Sequence, residues 1–191
     1  MDFSNVRYWA KSFWSEDNRE HLTREIDIEK VAHAIDMVGA AEKFFYYGHY
    51  KAPPPLSPER PLNVSYRNSI FRIEKARKAG FKVRTKDIKT IETYDEAGRR
   101  QGQIHKCNFD VEITMDMLKQ LPKYDTVFLW SGDSDFGPLL AYLKSKGKKI
   151  VTICARGFVS SELQKIPDLF IPADRLRDQL ELVTHKKALP A

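Results

Sequence analysis

Residues 126–143 read Thr-Val-Phe-Leu-Trp-Ser-Gly-Asp-Ser-Asp-Phe-Gly-Pro-Leu-Leu-Ala-Tyr-Leu. The near-continuous apolar run at 126–130 is the mark of a strand buried in a parallel sheet. It passes through Ser131-Gly132 into Asp133-Ser134-Asp135 and then directly into a helical pattern over 135–146. Phe136, Leu139, Leu140 and Leu143 share one face of that helix, and Gly147 lies just past its end. In open α/β sheets, ligands bind beyond the carboxyl ends of the strands. This junction therefore delivers two carboxylates, two residues apart, to that edge, and Gly132 reads as the residue that lets the backbone turn sharply there. Capping is the ordinary alternative, with Asp133 or Ser134 as N-cap and Asp135 favouring the helix dipole. One cap needs only one residue, however, and a second carboxylate beside it repels the first unless a cation is shared. The pattern thus favours function over capping.

Working outward, the same alternation continues on both sides. Residues 148–155 read as a strand, 160–167 as a short helix, 169–174 as a short strand, and 174–183 as a final amphipathic helix. Its Leu176, Leu180 and Val183 are spaced to pack either on the core or on a second copy of the chain, so a homodimer through this helix is one expectation. Upstream, Val31, Ala34, Ile35 and Val38 mark a helix over 29–41, and the aromatic run 43–50 reads as a buried strand. Residues 51–61, five of them proline, read as a stiff surface insertion. A helix over 68–79, capped by Asn68 and ended by Gly80, precedes a strand at 81–89. A hairpin over 91–106 comes next, with Glu96-Ala97-Gly98 at its turn. Residues 110–121 form a helix with Val111, Met115 and Leu118 toward the core, closed by Pro122. Alternating β and α units imply an α/β fold, a mostly parallel, doubly wound central sheet with helices on both faces. Asp2-Phe3-Ser4-Asn5 looks like a loop that comes after a strand, and the first strand of such a fold is usually central; the chain is read here as beginning late, from an internal methionine.

The bulk properties narrow the setting. The chain has 191 residues, enough for one domain over 1–175 with a C-terminal helix and tail over 176–191. No apolar run approaches the ~20 residues of a membrane helix, and the N-terminus lacks the apolar core of a signal peptide. Two cysteines, Cys107 and Cys154, without metal or redox spacing suggest a reduced, cytoplasmic protein with no structural zinc. A net charge of +6 and a pI of about 9.2 favour a polyanionic partner such as nucleic acid, although spare solvated lysines would give the same figures.

Further acids join Asp133 and Asp135. Asp110 opens a helix and its carboxylate can face the cleft, or serve as an ordinary N-cap. Asp116, six residues on, lies well round that helix; a solvated surface position is nearly as good a reading. Asp2, with Asn5, lies at the same sheet edge if Met1 and Phe3 belong to a strand end. Four or five acids at one edge suit hard cations such as Mg²⁺ or Mn²⁺. Two such ions, ~3.5–4 Å apart, can activate a water and stabilise the leaving oxygen of a phosphodiester. Arg7 and the aromatics Tyr8, Trp9, Phe13 and Trp14 crowd the first segment, while Arg99, Arg100, His105 and Lys106 lie on or beside the hairpin. Cationic and stacking groups of this kind suit single strands. Trp9, Phe13 and Trp14, near helical intervals, read as core; Arg99, Arg100 and Lys106 lean toward phosphate contact.

Together these residues resemble the NYN domain family, in its LabA-like branch, within the PIN-like nuclease superfamily. The resemblance rests on Asp2 and Asn5, on Tyr46 and Tyr47, on Lys106, Asp110 and Asp116, and most specifically on Ser131, Gly132, Asp133, Asp135 and Phe136. It covers nearly the whole chain, up to about residue 173. Two features depart from the family pattern: the first strand, and a Lys-Gly-x-Asp segment replaced here by Lys106-Cys107-Asn108-Phe109-Asp110. The resemblance implies a Rossmann-like PIN fold and a Mg²⁺- or Mn²⁺-dependent ribonuclease.

Three functions compete on the sequence. The leading one is an endoribonuclease acting on single-stranded or structured RNA. In it, Asp2, Asp110, Asp133 and Asp135 hold metal and carry catalysis, with Asp116 as a further ligand or as support behind them. Asn5 and Ser131 orient ligands or substrate, and Arg7, Arg99, Arg100 and Lys106 contact nucleic acid. The second is a non-catalytic RNA-binding or regulatory protein that uses the same cleft. The third, a small-molecule phosphatase, is disfavoured because no acidic segment has the Asp-x-Asp-x-Thr form of a phosphoaspartate mechanism.

Overall fold

The structure, a computed structural model, describes residues 1–14, 22–40, 42–51 and 64–185. In chain order the elements are α1 (Phe3–Ala10), β1 (Leu22–Ile26), α2 (Ile28–Met37), β2 (Phe44–His49), α3 (Val64–Lys78), β3 (Lys82–Asp87), β4 (Lys89–Tyr94) and β5 (Arg100–Lys106). The second half holds α4 (Asp110–Gln120), β6 (Thr126–Leu129), α5 (Gly137–Ser145), β7 (Lys149–Cys154), α6 (Ser161–Lys165), β8 (Leu169–Pro172), α7 (Arg177–Leu180) and β9 (Glu181–His185). Apart from Lys51, the expected proline-rich insertion lies outside the described residues.

The expected parallel pairing is present. β2 pairs with β3 from Phe44↔Lys82 to His49↔Asp87, and β7 lies parallel between β6 and β8. The sheet is not continuous, however. The strands form four small sheets, with β4–β5 and β1–β9 as antiparallel pairs. Side chains alternate across a strand, and this divides the interior in two. Phe45 and Tyr47 enter one apolar cluster with Phe3, Val6 and Trp9 of α1, Val31 of α2 and Ile73 of α3. Tyr46 enters the other with Ile113 of α4, Leu140 and Leu143 of α5, Ile150 and Leu163. Helices thus cover opposite faces of β2, as expected. Trp9 is fully buried, and Phe13 and Trp14 pack against the same cluster.

Several local expectations are corrected. Asp2 to Asn5 is not a loop: Asp2 caps α1, and its carboxylate accepts from the Asn5 backbone N–H at 3.2 Å. α3 is already helical at Val64, so Asn68 lies inside it, while Gly80 does end it in the left-handed region at φ 84°. In α2, Val38 falls past the helix end and is exposed. In α4, Val111 and Met115 are 71% and 45% exposed, and Ile113 fills the core instead, with Met117, Leu118 and Leu121 beside it. This helix carries apolar residues on two faces, and period alone does not choose between them. The final helix ends at Leu180. Residues 181–185 instead extend along β1, a strand not foreseen, and the Arg24–Glu181 ion pair at 2.5 Å ties the two together. Leu180 is buried and its carbonyl accepts from Asp27 N–H at 2.7 Å, so this segment closes onto its own chain rather than forming the helix on which dimerisation was expected.

Candidate metal centre

β6 ends at Leu129, and the chain continues through buried Trp130 and Ser131 into Gly132. A methyl group on Gly132 would stand 2.2 Å from the Phe158 carbonyl oxygen and 2.5 Å from Cys154 Sγ. Its backbone is not in the left-handed region, so close approach, and not a turn, demands glycine here. Two bonds fix the path of the loop from this point. Gly132 N–H donates to Asn5 Oδ1 at 3.1 Å, and Asp133 N–H donates to Ser131 Oγ at 3.3 Å. Asn5 and Ser131 therefore hold the loop that presents the acids. Asp133 in turn caps the short 3₁₀ turn Ser134–Phe136, accepting from Asp135 N–H at 3.1 Å. The capping reading is thus also correct for Asp133, and one carboxylate oxygen remains for other work.

Asp110 reaches the same place from α4. It is the first residue of the helix and not its cap. Asn108 orients it, accepting from Asp110 N–H at 2.7 Å and donating its side-chain amide to Asp110 Oδ2 at 2.5 Å. Asp110, Asp133 and Asp135 each offer one oxygen, and these oxygens lie within 4.8 Å of one another. Burial raises the Asp110 pKa above the usual carboxylate range; the Asn108 bond opposes this, and the charges of Asp133 and Asp135 add to the rise. Burial thus disfavours the charged form first, the neighbouring acids add to that, and Lys86 offsets part of it. Three hard oxygen donors at this separation fit a Mg²⁺ or Mn²⁺ ion.

The other expected acids stand differently. Asp2 is outside this group. It is only 8% exposed, and burial pushes its pKa to about 6; the Asn5 N–H and the Met1 ammonium oppose this, and the Asp110 charge adds to it. Asp116 is turned away. It accepts from Tyr46 Oη at 3.0 Å and from Arg84 Nε at 2.9 Å. Burial disfavours its charge, but the Arg84 and Tyr46 bonds outweigh burial and hold it below the usual carboxylate range. Of the expected basic residues, Arg7 donates to Tyr47 Oη at 2.9 Å, Arg99 pairs with Asp95 at 2.9 Å and Arg100 with Glu92 at 3.2 Å. Lys106 ends β5 and is exposed.

Sequence reading missed two residues, Asn108 and Lys86. Lys86 sits near the carboxyl end of β3, binds Glu112 at 2.7 Å, lies 4.6 Å over the Phe109 ring and lowers the Asp110 pKa. Its position was visible in the rule that sites gather at strand ends.

Comparison with known proteins agrees with the resemblance. The NYN domain family model matches residues 1–177. Over 103 residues the chain is 35% identical to the low amplitude and bright protein LabA of Synechococcus elongatus; the match covers 53% of each chain, so this chain aligns with about half the length of that relative. A crystal structure of a protein of unknown function from Vibrio parahaemolyticus superposes with a TM-score of 0.58 at 23% identity, covering 95% of this chain and 92% of the other. That likeness shows a shared fold.

Proposed function

We infer, from the premise that this chain belongs to the NYN domain family, that it is a divalent-metal-dependent ribonuclease on a Rossmann-like PIN fold. The observation that carries the reading is the convergence of Asp110, Asp133 and Asp135 oxygens within 4.8 Å, at the carboxyl end of a parallel strand. Mg²⁺ or Mn²⁺ held there would supply activation of a water and charge neutralisation at the scissile phosphate. Asp110, Asp133 and Asp135 are the ligands. Asp2, within electrostatic reach of Asp110, shapes the field behind them and can take up the proton of an attacking water. Asn5 and Ser131 keep the loop in register, and Asp116 braces α4 against β3 and stays outside the reaction. Exposed Lys106 and half-buried Lys86, which also binds Glu112 and lowers the Asp110 pKa, are the cations proposed to meet an RNA backbone; Arg7, Arg99 and Arg100 bind neighbours within the chain as well.

Labelled single-stranded RNA, incubated with the protein and Mn²⁺ or Mg²⁺, should be cut, and EDTA should stop the reaction. Asp133→Asn should lose more than the ~10–100-fold that a residue one layer behind a ligand typically costs. One observation favours a second reading, a non-catalytic RNA-binding protein: Asp2 lies outside the ligand group. Binding of RNA without cleavage, equal in wild type and Asp133→Asn, would select it.

A further inference from the structure

α1 and the turn that follows β7 meet beside the acid loop, and each brings an aromatic ring. Asn5 of α1 accepts from Gly132 N–H at 3.1 Å. Tyr8 stands three residues further along α1, on the neighbouring turn of the same side. The second ring is Phe158, in the short turn Arg156–Phe158 beyond the carboxyl end of β7, where its N–H donates to the Ala155 carbonyl at 3.0 Å. The Phe158 carbonyl oxygen lies so near Gly132 that a methyl group there would stand 2.2 Å from it, and Asp133 is the next residue. The Tyr8 and Phe158 ring centroids are 5.5 Å apart with their planes at 90°.

The two rings are not equivalent. Phe158 is half-buried and packs against the core cluster that holds Val6 and Trp9. Tyr8 is 66% exposed, although Val6, Trp9 and Ala10 around it are buried. Exposed aromatics that stand singly are normal. Phe71 on α3 is as exposed as Tyr8, but it has no ring contact with another described aromatic. Tyr8 differs in being braced by a ring from another element, at the strand ends where ligands gather. Whichever ring supplies the edge of this edge-to-face pair, Tyr8 keeps a ring face for a third partner. Cations lie close by in the chain. Lys11, three residues past Tyr8, and Arg156, two before Phe158, are exposed, and neither side chain has an ion-pair partner among the described residues. The Arg156 N–H donates to Asp174 Oδ2 at 3.1 Å, which fixes the turn that carries it. A presented aromatic face with spare cations beside it matches a nucleobase and the phosphates that flank it.

We propose that Tyr8, braced by Phe158, is the stacking platform for one unpaired base of the RNA strand, next to the phosphate held at the acid cluster, with Lys11 and Arg156 on the phosphates that flank that base. The proposal rests on the ribonuclease reading and adds how the strand is held. The RNA is single-stranded at this point, because a splayed base has a face free to stack. Any base fits, since every base has a π-face.

Binding in EDTA, where the RNA stays intact, tests the platform apart from cleavage. The probes are short single-stranded RNAs that carry one 2-aminopurine, an adenine analogue whose emission falls on stacking, at successive positions. Wild type should quench the probe at one position beside the cleavage site. Tyr8→Ala should lose that quenching and bind ~5–100-fold more weakly. Tyr8→Phe should keep both, and Phe71→Ala, equally exposed at the start, should bind as wild type does. Mn²⁺-induced thermal stabilisation should persist in Tyr8→Ala, which shows that its acid cluster is intact. If Tyr8→Ala quenches and binds as wild type does while wild type still cuts RNA with Mn²⁺, the platform is refuted and the ribonuclease reading stands. An equal loss in Phe71→Ala also refutes the platform. If wild type neither binds nor cuts any of the RNAs, both readings fall together.

Discussion

Gly132→Ala should destabilise the protein by about 2–4 kcal/mol and loosen the acid cluster together with the fold. The magnitude comes from the contacts. The added methyl would meet the Phe158 carbonyl oxygen at 2.2 Å, the Phe158 carbonyl carbon at 3.0 Å and Cys154 Sγ at 2.5 Å. Cys154 Sγ is buried, and Phe158 belongs to a short turn held by its N–H to the Ala155 carbonyl at 3.0 Å and by a ring contact with Tyr8 at 5.5 Å. Backbone on one side and a buried sulfur on the other leave the methyl no flexible neighbour to displace, so the Gly132 loop itself must move. Overpacking of this kind costs ~1–3 kcal/mol, and the Asn5–Gly132 hydrogen bond, lost in the movement, adds ~1 kcal/mol. Gly157→Ala is the control, since its methyl would meet nothing within 4 Å, and it should stay within ~0.5 kcal/mol of wild type. Urea denaturation midpoints of the three proteins measure the difference, and Mn²⁺ titration should show weaker binding only in Gly132→Ala. Equal midpoints for the two alanine variants would refute the close-packing argument.

Two further outcomes rest on the charges. The folded chain holds a proton on Asp2 up to about pH 6, whereas the unfolded chain releases it near 3.8; stability therefore falls as pH rises between those values, by at most ~3 kcal/mol. Asp2→Asn should remove that fall, so its advantage over wild type in urea should grow from acid to neutral pH; an advantage that shrinks over that range would reverse the sign of the argument. Asp116→Asn should cost ~1–3 kcal/mol through its Tyr46 and Arg84 bonds yet leave Mn²⁺-induced thermal stabilisation intact, whereas Asp133→Asn should abolish that stabilisation. Scanning calorimetry with and without Mn²⁺ separates the two, and loss of the Mn²⁺ effect in Asp116→Asn would return that residue to the ligand set.

The sequence signalled elements wherever one local pattern had no competitor. The helix over Leu139, Leu140 and Leu143, the strand at 43–50 and the hairpin turning at Gly98 each carry a single unambiguous period or breaker, and each is present. Where two patterns competed, tertiary contacts decided. α4 offers Val111 and Met115 on one face and Ile113 and Met117 on another, and only the packing against Tyr46 and Phe109 selects the second. Residues 174–183 fit a helical stripe, yet β1 provides an edge for 181–185, and strand pairing outweighs helical propensity there. β1 itself carries no alternation strong enough to announce it.

The site divides along the same line. Asp133 and Asp135 were legible because strand, glycine and helix are contiguous around them, so local sequence fixes where they point. Asp110 was legible as a helix start; its orientation, though, depends on Asn108, whose role emerges only from the hydrogen bonds on both sides of its amide. Asp2 and Asp116 are both acids at plausible spacing, and the sequence cannot rank them, because the difference lies in the groups each meets across the fold. Asp116 meets Arg84, 32 residues away, and is neutralised; Asp2 meets a buried amine and the Asp110 charge, and keeps its proton into mildly acidic solution. An acid that already has a cation within the chain has little to gain from a metal, while one that is buried beside other acids gains most. On that criterion the proposed site takes in Asp2, although it lies outside the tightest group of oxygens, and leaves out Asp116, despite its place in the family pattern.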